Sequence, residues 1–119
     1  MKLKPLLPTL KEKKRYLFFE IISDGSLSVD AVDRAISETT LKLLGTFETG
    51  KAGIMFLKDK YAENHGIIKT GHKYVDKVRT ALALVRKVDN HIVIFRTRIV
   101  SGTLKKATYK FNELKKAEA

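Results

Sequence analysis

Apolar positions along this chain follow two periods, and the switches between them mark its elements. Tyr16-Leu17-Phe18-Phe19-Glu20-Ile21-Ile22 is aromatic and β-branched and ends at Ser23-Asp24-Gly25, which predicts a strand over 16–22. Ser28 is a suitable N-cap, with Asp30 placed to favour the helix dipole. Val29, Val32, Ile36 and Leu43 then recur at helical spacing, predicting a helix over 28–44 that stops near Gly45. Ala52-Gly53-Ile54-Met55-Phe56-Leu57 opens a second strand over 52–58, and Gly66-Ile67-Ile68-Lys69-Thr70 makes a third over 66–70. Lys58 to Asn64 reads as a charged loop between them. Val75, Val78, Leu82 and Val85 carry a second helix over 73–88. Asp89-Asn90 is a turn, and His91 to Val100 is the clearest strand, broken by Ser101-Gly102-Thr103. Leu104, Ala107, Phe111 and Leu114 return to helical spacing and predict a closing helix. Pro5 and Pro8 keep the first residues irregular, with room for one short helix over Thr9–Lys14.

This order, β-α-β-β-α-β with extra segments at both ends, predicts an α+β fold. It is a ferredoxin-like, RRM-like sandwich with a four-stranded antiparallel sheet. Three segments follow: a basic extension over 1–14, the α/β domain over 15–103 and a basic helix over 104–119. Alternate strand residues share a face, so Leu17, Phe19 and Ile21 oppose Tyr16, Phe18, Glu20 and Ile22. On the last strand, Val93, Phe95, Thr97 and Ile99 oppose Ile92, Ile94, Arg96 and Arg98. The apolar sets are expected to meet the two central helices. Tyr16, Phe18, Glu20, Arg96 and Arg98 then share the other face, where rings beside guanidinium groups suit stacked bases and phosphates. A competing arrangement puts Tyr16 and Phe18 under the closing helix, whose stripe has to be buried somewhere.

Charge narrows the function classes. The 119 residues carry 24 Lys and Arg against 13 Asp and Glu, a net charge of +11, which favours a polyanionic partner. The excess is uneven: residues 1–15 sum to +5, 16–50 to −4, 51–103 to +7 and 104–119 to +3. Such asymmetry suits a subunit with one basic face and one face for a protein partner. Leu27 and Leu44 near the ends of the first helix, with Asp30 and Asp33, are the expected protein contacts.

Chemistry-bearing patterns are sparse. Without cysteine there is no disulfide scaffold, zinc ribbon or thiol catalysis. His65, His72 and His91 lie in different elements without metal-ligand spacing, and the glycines compose no phosphate loop. No apolar run approaches a membrane span and no secretory h-region opens the chain, so a soluble, cytoplasmic binder without a membrane partner is expected.

Three blocks in order resemble the RNase P protein component 2 family of archaea and eukaryotes, in its shorter, archaeal form. They are Arg15 to Ser23, Gly66-Ile67-Ile68-Lys69 followed by Tyr74 to Leu82, and Arg96 to Ala107. Lys69 stands where that family more often has arginine, keeping the charge but losing the forked donor set. The resemblance implies a subunit of the RNA–protein enzyme that removes the 5′ leader of precursor tRNA. It implies that the RNA carries the magnesium-dependent chemistry, with no cofactor or metal and no catalytic residue on this chain. It also implies partners: RNase P RNA, precursor tRNA, the TIM-barrel-like RNase P protein component 3 and other subunits, with homodimerisation within a heterotetramer left open. Candidate RNA contacts are Lys13, Lys14, Arg15, Tyr16, Phe18, Lys69, Arg79, Arg96, Arg98, Lys105 and Lys106. The alternative is a non-catalytic RNA-binding module of a ribosome-associated or other ribonucleoprotein.

Overall fold

A computed structural model describes residues 13–118, with side chains over 13–113. The expected helix over Thr9–Lys14 lies mostly outside these residues, and Lys14 already begins a strand. The elements are β1 (Lys14–Ser23), α1 (Val29–Ala52), β2 (Met55–Phe56), β3 (His65–Gly71), α2 (Val75–Leu84), β4 (Lys87–Val88), β5 (His91–Ser101) and α3 (Leu104–Glu118). The sheet has five strands in the order β2-β3-β1-β5-β4, all pairs antiparallel. Without β4 this is the interleaved order of two split βαβ units. Among the described residues no helix is long and apolar enough to cross a membrane.

The fifth strand corrects the expected four. Val85 leaves the helical region (φ −72°, ψ 118°), so α2 ends at Leu84 and does not run to 88. Asp89 and Asn90 take φ of 50° and 69°, the geometry of a two-residue hairpin turn, and Lys87 and Val88 pair with Ile92 and His91. Val85 and Val88 still reach the core, which is why their three-residue spacing imitates a helix. Beyond its helix the hairpin is tied to the loop after β1, since His91 Nδ1 lies 2.8 Å from Asp24 Oδ1. That hydrogen bond holds Asp24 below its ordinary value of 3.8. Its contribution to stability is present above that value and fades as the pH falls through the lowered one.

α1 begins as expected, with the Ser28 hydroxyl accepting from Ala31 N at 3.2 Å. At Gly45 (φ 78°, ψ 168°) the backbone kinks, yet a further helical stretch runs to Ala52. The true stop is Gly53, in the left-handed region (φ 60°, ψ 40°) that glycine enters without steric cost. Residue 52 therefore belongs to α1, and the second strand shrinks to two residues.

Two cores lie on opposite faces of the sheet. Leu17, Phe19 and Ile21 of β1 meet Val32 and Ile36 of α1 and Val78 and Leu82 of α2, with Ile68, Val93 and Phe95 beside them. On the other face, Phe18 and Ile67 meet Ala107 and Phe111 of α3, with Tyr16, Leu57, Ile99 and Leu104 packed around. Ile99 thus sits opposite to the face its parity predicts. A bulge explains it: Phe18 pairs with Ile99 but Phe19 pairs with Thr97, so Arg98 is one extra residue in β5 and alternation reverses past it.

Among the described glycines, Gly66 leaves the least room for a side chain. A Cβ there would lie 2.6 Å from Phe19 Cζ and 3.1 Å from Phe56 Cε1, atoms held by the packed rings. Gly66→Ala is expected to cost about 1–3 kcal/mol through overpacking. Equilibrium urea unfolding checks this, and an unshifted midpoint would refute the packing argument.

Candidate nucleic-acid interface

α3 decides which of the basic and aromatic candidates reach solvent. Phe18 is 4% exposed, with its ring centroid 4.7 Å from that of Phe111. It is therefore a core residue in this structure and not an open stacking platform, which corrects the expectation for it. Tyr16 is partly covered in the same cluster, and Lys69 Nζ stands 6.0 Å from its ring centroid.

The remaining candidates fall into three places. At one end of the α3-covered face, Tyr16 pairs with Lys69 on β3 and with Ser101 on β5. α3 starts three residues after Ser101, so exposed Lys105 and Lys106 belong to this end. Lys14 and Arg15 are partly exposed at the start of β1, and Lys13 just before it is exposed. At the other end, Arg96 and Arg98 converge on Glu20, which pairs with Arg96 across the strands. Arg98 Nη1 donates to Glu20 Oε1 at 2.9 Å, and Arg96 Nε lies 3.5 Å from the same oxygen. Tyr16 and Glu20 are four strand residues apart, about 13 Å. Arg96 and Arg98 therefore form one patch and Lys105 and Lys106 another. Arg79 is exposed on α2, whose Val78 and Leu82 fill the opposite core, so it lies across the sheet from both.

The two arginines are not equivalent. Arg98 is 18% exposed and Arg96 55%, while Glu20 is 15% exposed. Arg98 and Glu20 form a half-sheltered pair that fixes the local geometry, and Arg96 keeps most of its fork free for another anion. Sequence alternation places Glu20 beside them but misses His65. That histidine begins β3 rather than sitting in a loop, with Nε2 3.7 Å from Glu20 Oε2 and its ring 5.2 Å from Phe111. The register Glu20↔His65 is the signal that pairing, not composition, supplies.

The expected protein contacts also separate. Leu27 is a buried residue of the main core, 6% exposed, which withdraws it as an anchor for a partner. Asp33 is paired with Lys58 at 3.1 Å and Asp30 lies 4.0 Å from the same nitrogen, at the start of α1. Leu44 is partly exposed fourteen residues further on, roughly 20 Å along the helix. Leu43, which lines a groove with Leu44 and with Asp76 and Lys77 of α2, is exposed, as is Phe47 by 75% beyond the kink, whereas exposed Leu41 lines a separate groove with Asp33 and Phe56. Phe47 lies beyond Gly45, where the sequence pattern predicts the helix to stop, and so escapes the sequence reading. Among the described residues, no three His, Asp or Glu side chains gather as metal ligands.

The sequence model of the Rpp14/Pop5 family matches residues 15–112. Ribonuclease P protein component 2 of Pyrococcus abyssi is 41% identical over 111 residues, covering 93% of this chain and 94% of that one. The protein of the same name from Pyrococcus horikoshii is 43% identical over 112 residues, covering 92% of each. That of Thermococcus gammatolerans is 39% identical over 108 residues, covering 91% and 90%. Among solved structures, a chain from the cryo-EM structure of yeast ribonuclease MRP matches with a TM-score of 0.62 at 13% identity, covering 91% of this chain and 93% of that one. At that identity the likeness concerns the fold.

Proposed function

The chain belongs to the Rpp14/Pop5 family, and on that membership we propose that it is a protein subunit of ribonuclease P, acting with the enzyme's RNA to remove the 5′ leader of precursor tRNA. The observation that carries this reading is identity of 39–43% with archaeal ribonuclease P components over nine-tenths of their lengths. The net charge of +11 and the exposed cations on both ends of one sheet face support it. In this reading the chain neutralises phosphate repulsion and holds the RNA in its active shape. In the same reading catalysis belongs to the RNA and its magnesium, as the family resemblance implies. The protein partner, a TIM-barrel-like subunit, sits on the less basic helix layer, against an apolar patch of Leu43, Leu44 and Phe47.

Affinity purification of the tagged chain from its host, with sequencing of the bound RNA, tests the assignment. The expected catch is RNase P RNA and a partner of roughly 25–30 kDa, a size common for the barrel fold. Ribosomal RNA without that set would move the chain to another ribonucleoprotein. Phe47→Asp is expected to lower recovery of the protein partner about tenfold or more, as loss of a central apolar anchor does. Asp30→Lys, remote from the patch, is expected to change it less than twofold. Equal recovery with both variants would place the protein interface elsewhere.

A further inference from the structure

We propose that a cavity between the start of β3 and the middle of α3 receives one unpaired nucleobase of the bound RNA. The inference rests on the RNA-binding reading above and names the site at which sequence-independent phosphate contact becomes local recognition. The cavity measures about 150 Å³ and is lined by Phe18, Phe111 and His65, with Thr108, Asn112 and Lys60 also in its wall. Pockets for drug-sized molecules run to roughly 300–1,000 Å³, so this one suits a single flat ring system rather than a larger metabolite.

Its chemistry matches a base in three respects. Phe18 and Phe111 make an apolar floor, and the ring of His65, 27% exposed, meets Phe111 at 65° and offers a face on which a base stacks. The Asn112 side chain is exposed and carries both donors and an acceptor, the combination that base edges require. His65 also faces Glu20, the carboxylate that gathers Arg96 and Arg98, so the cavity opens beside a cluster with one more positive than negative charge. Exposed Lys60 adds a further cation on the other wall. A nucleotide seated here keeps its ring inside and its flanking phosphates between Lys60 and Arg96. The burial of Phe18 then acquires a second meaning: α3 does not close the sheet to RNA but, with it, shapes a slot one base wide.

Asn112→Phe fills the mouth of the cavity from an exposed helix position, and Asn112→Ala leaves it open. Both are to be compared with the unaltered chain for affinity and nucleotide-resolution 2′-hydroxyl probing on RNase P RNA. The expected result is one unpaired nucleotide protected by the unaltered chain, partly protected by Asn112→Ala, which keeps the stacking surface but loses the base-edge hydrogen bonds, and released by Asn112→Phe. Affinity should fall roughly fivefold to a hundredfold, the loss of one stacked base. Melting curves verify that Asn112→Phe is folded, and Lys60→Glu supplies an independent variant expected to weaken the same protection. If both variants keep affinity and footprint, the cavity is no base site while RNA binding stands. If the unaltered chain fails to bind the RNA at all, the functional reading falls with it. Saturation by adenosine or uridine monophosphate as tightly as by RNA would overturn the proposal by making this a free-nucleotide site.

Discussion

Phe111→Ala is expected to destabilise the domain by about 3 kcal/mol or more and to free α3 from the sheet. Phe111 is 6% exposed, and its ring touches Phe18 and stands edge-on to His65. Truncating a buried phenylalanine costs about 3–5 kcal/mol, from lost transfer and the cavity left behind. Among the described side chains of α3, Ala107 is the other buried one, with Leu104 partly covered. The loss is therefore expected to be local. Hydrogen exchange should rise across α3 while β1 and β3, which carry the main core, keep their protection. Exposure of Phe18 and Ile67 should produce dye binding that the unaltered chain lacks. Tyr109→Ala, at a position 66% exposed, serves as the control and is expected to stay within about 0.5 kcal/mol. A change below about 1 kcal/mol with unaltered exchange would show that the smaller core does not anchor the helix.

The second large effect concerns processing. The purified chain alone is expected to cleave no precursor tRNA at any magnesium concentration, and to support 5′ processing once the RNA and protein partners are added. Replacing Arg96, Arg98, Lys105 and Lys106 together with alanine should weaken RNA binding and lower its salt slope by up to about four units, one for each phosphate contact. Because the structure separates these residues into two patches, the Arg96/Arg98 and Lys105/Lys106 pairs should contribute additively. The activity loss should be greatest at low magnesium, where the ion cannot replace the missing charge. Arg98→Ala carries an extra penalty in thermal stability, since it strips Glu20 of its 2.9 Å donor, whereas Arg96→Ala does not. Full processing and an unchanged slope in the quadruple variant would make both patches ordinary solvated surface. Cleavage by RNA-free protein would overturn the assignment of the chemistry to RNA.

Local pattern alone carried the order of the principal elements, the Ser28 cap, the Asp89-Asn90 turn and the side of β1 that faces α1 and α2. Each depends on near neighbours in the chain: a side-chain oxygen three residues from an amide, two turn residues, or the two-residue repeat of a strand. The three blocks that resemble a known family were equally open to reading, since they are strings of residues. Tertiary structure decided the rest. The bulge at Arg98 moved Ile99 to the opposite face, an event that depends on how β5 pairs with β1 and on nothing within β5 alone. The three-residue spacing of Val85 and Val88 belonged to a turn and an edge strand because pairing with His91 and Ile92 outweighed helical periodicity. Phe18 went under α3, and Leu27 went into the main core, because two helix stripes had to be buried and these side chains lay beneath them. His65 came beside Glu20 through strand register across forty-five positions of chain. Spacing in sequence reports what repeats along one element; only packing brings together groups from several, and the candidate RNA site is built from four.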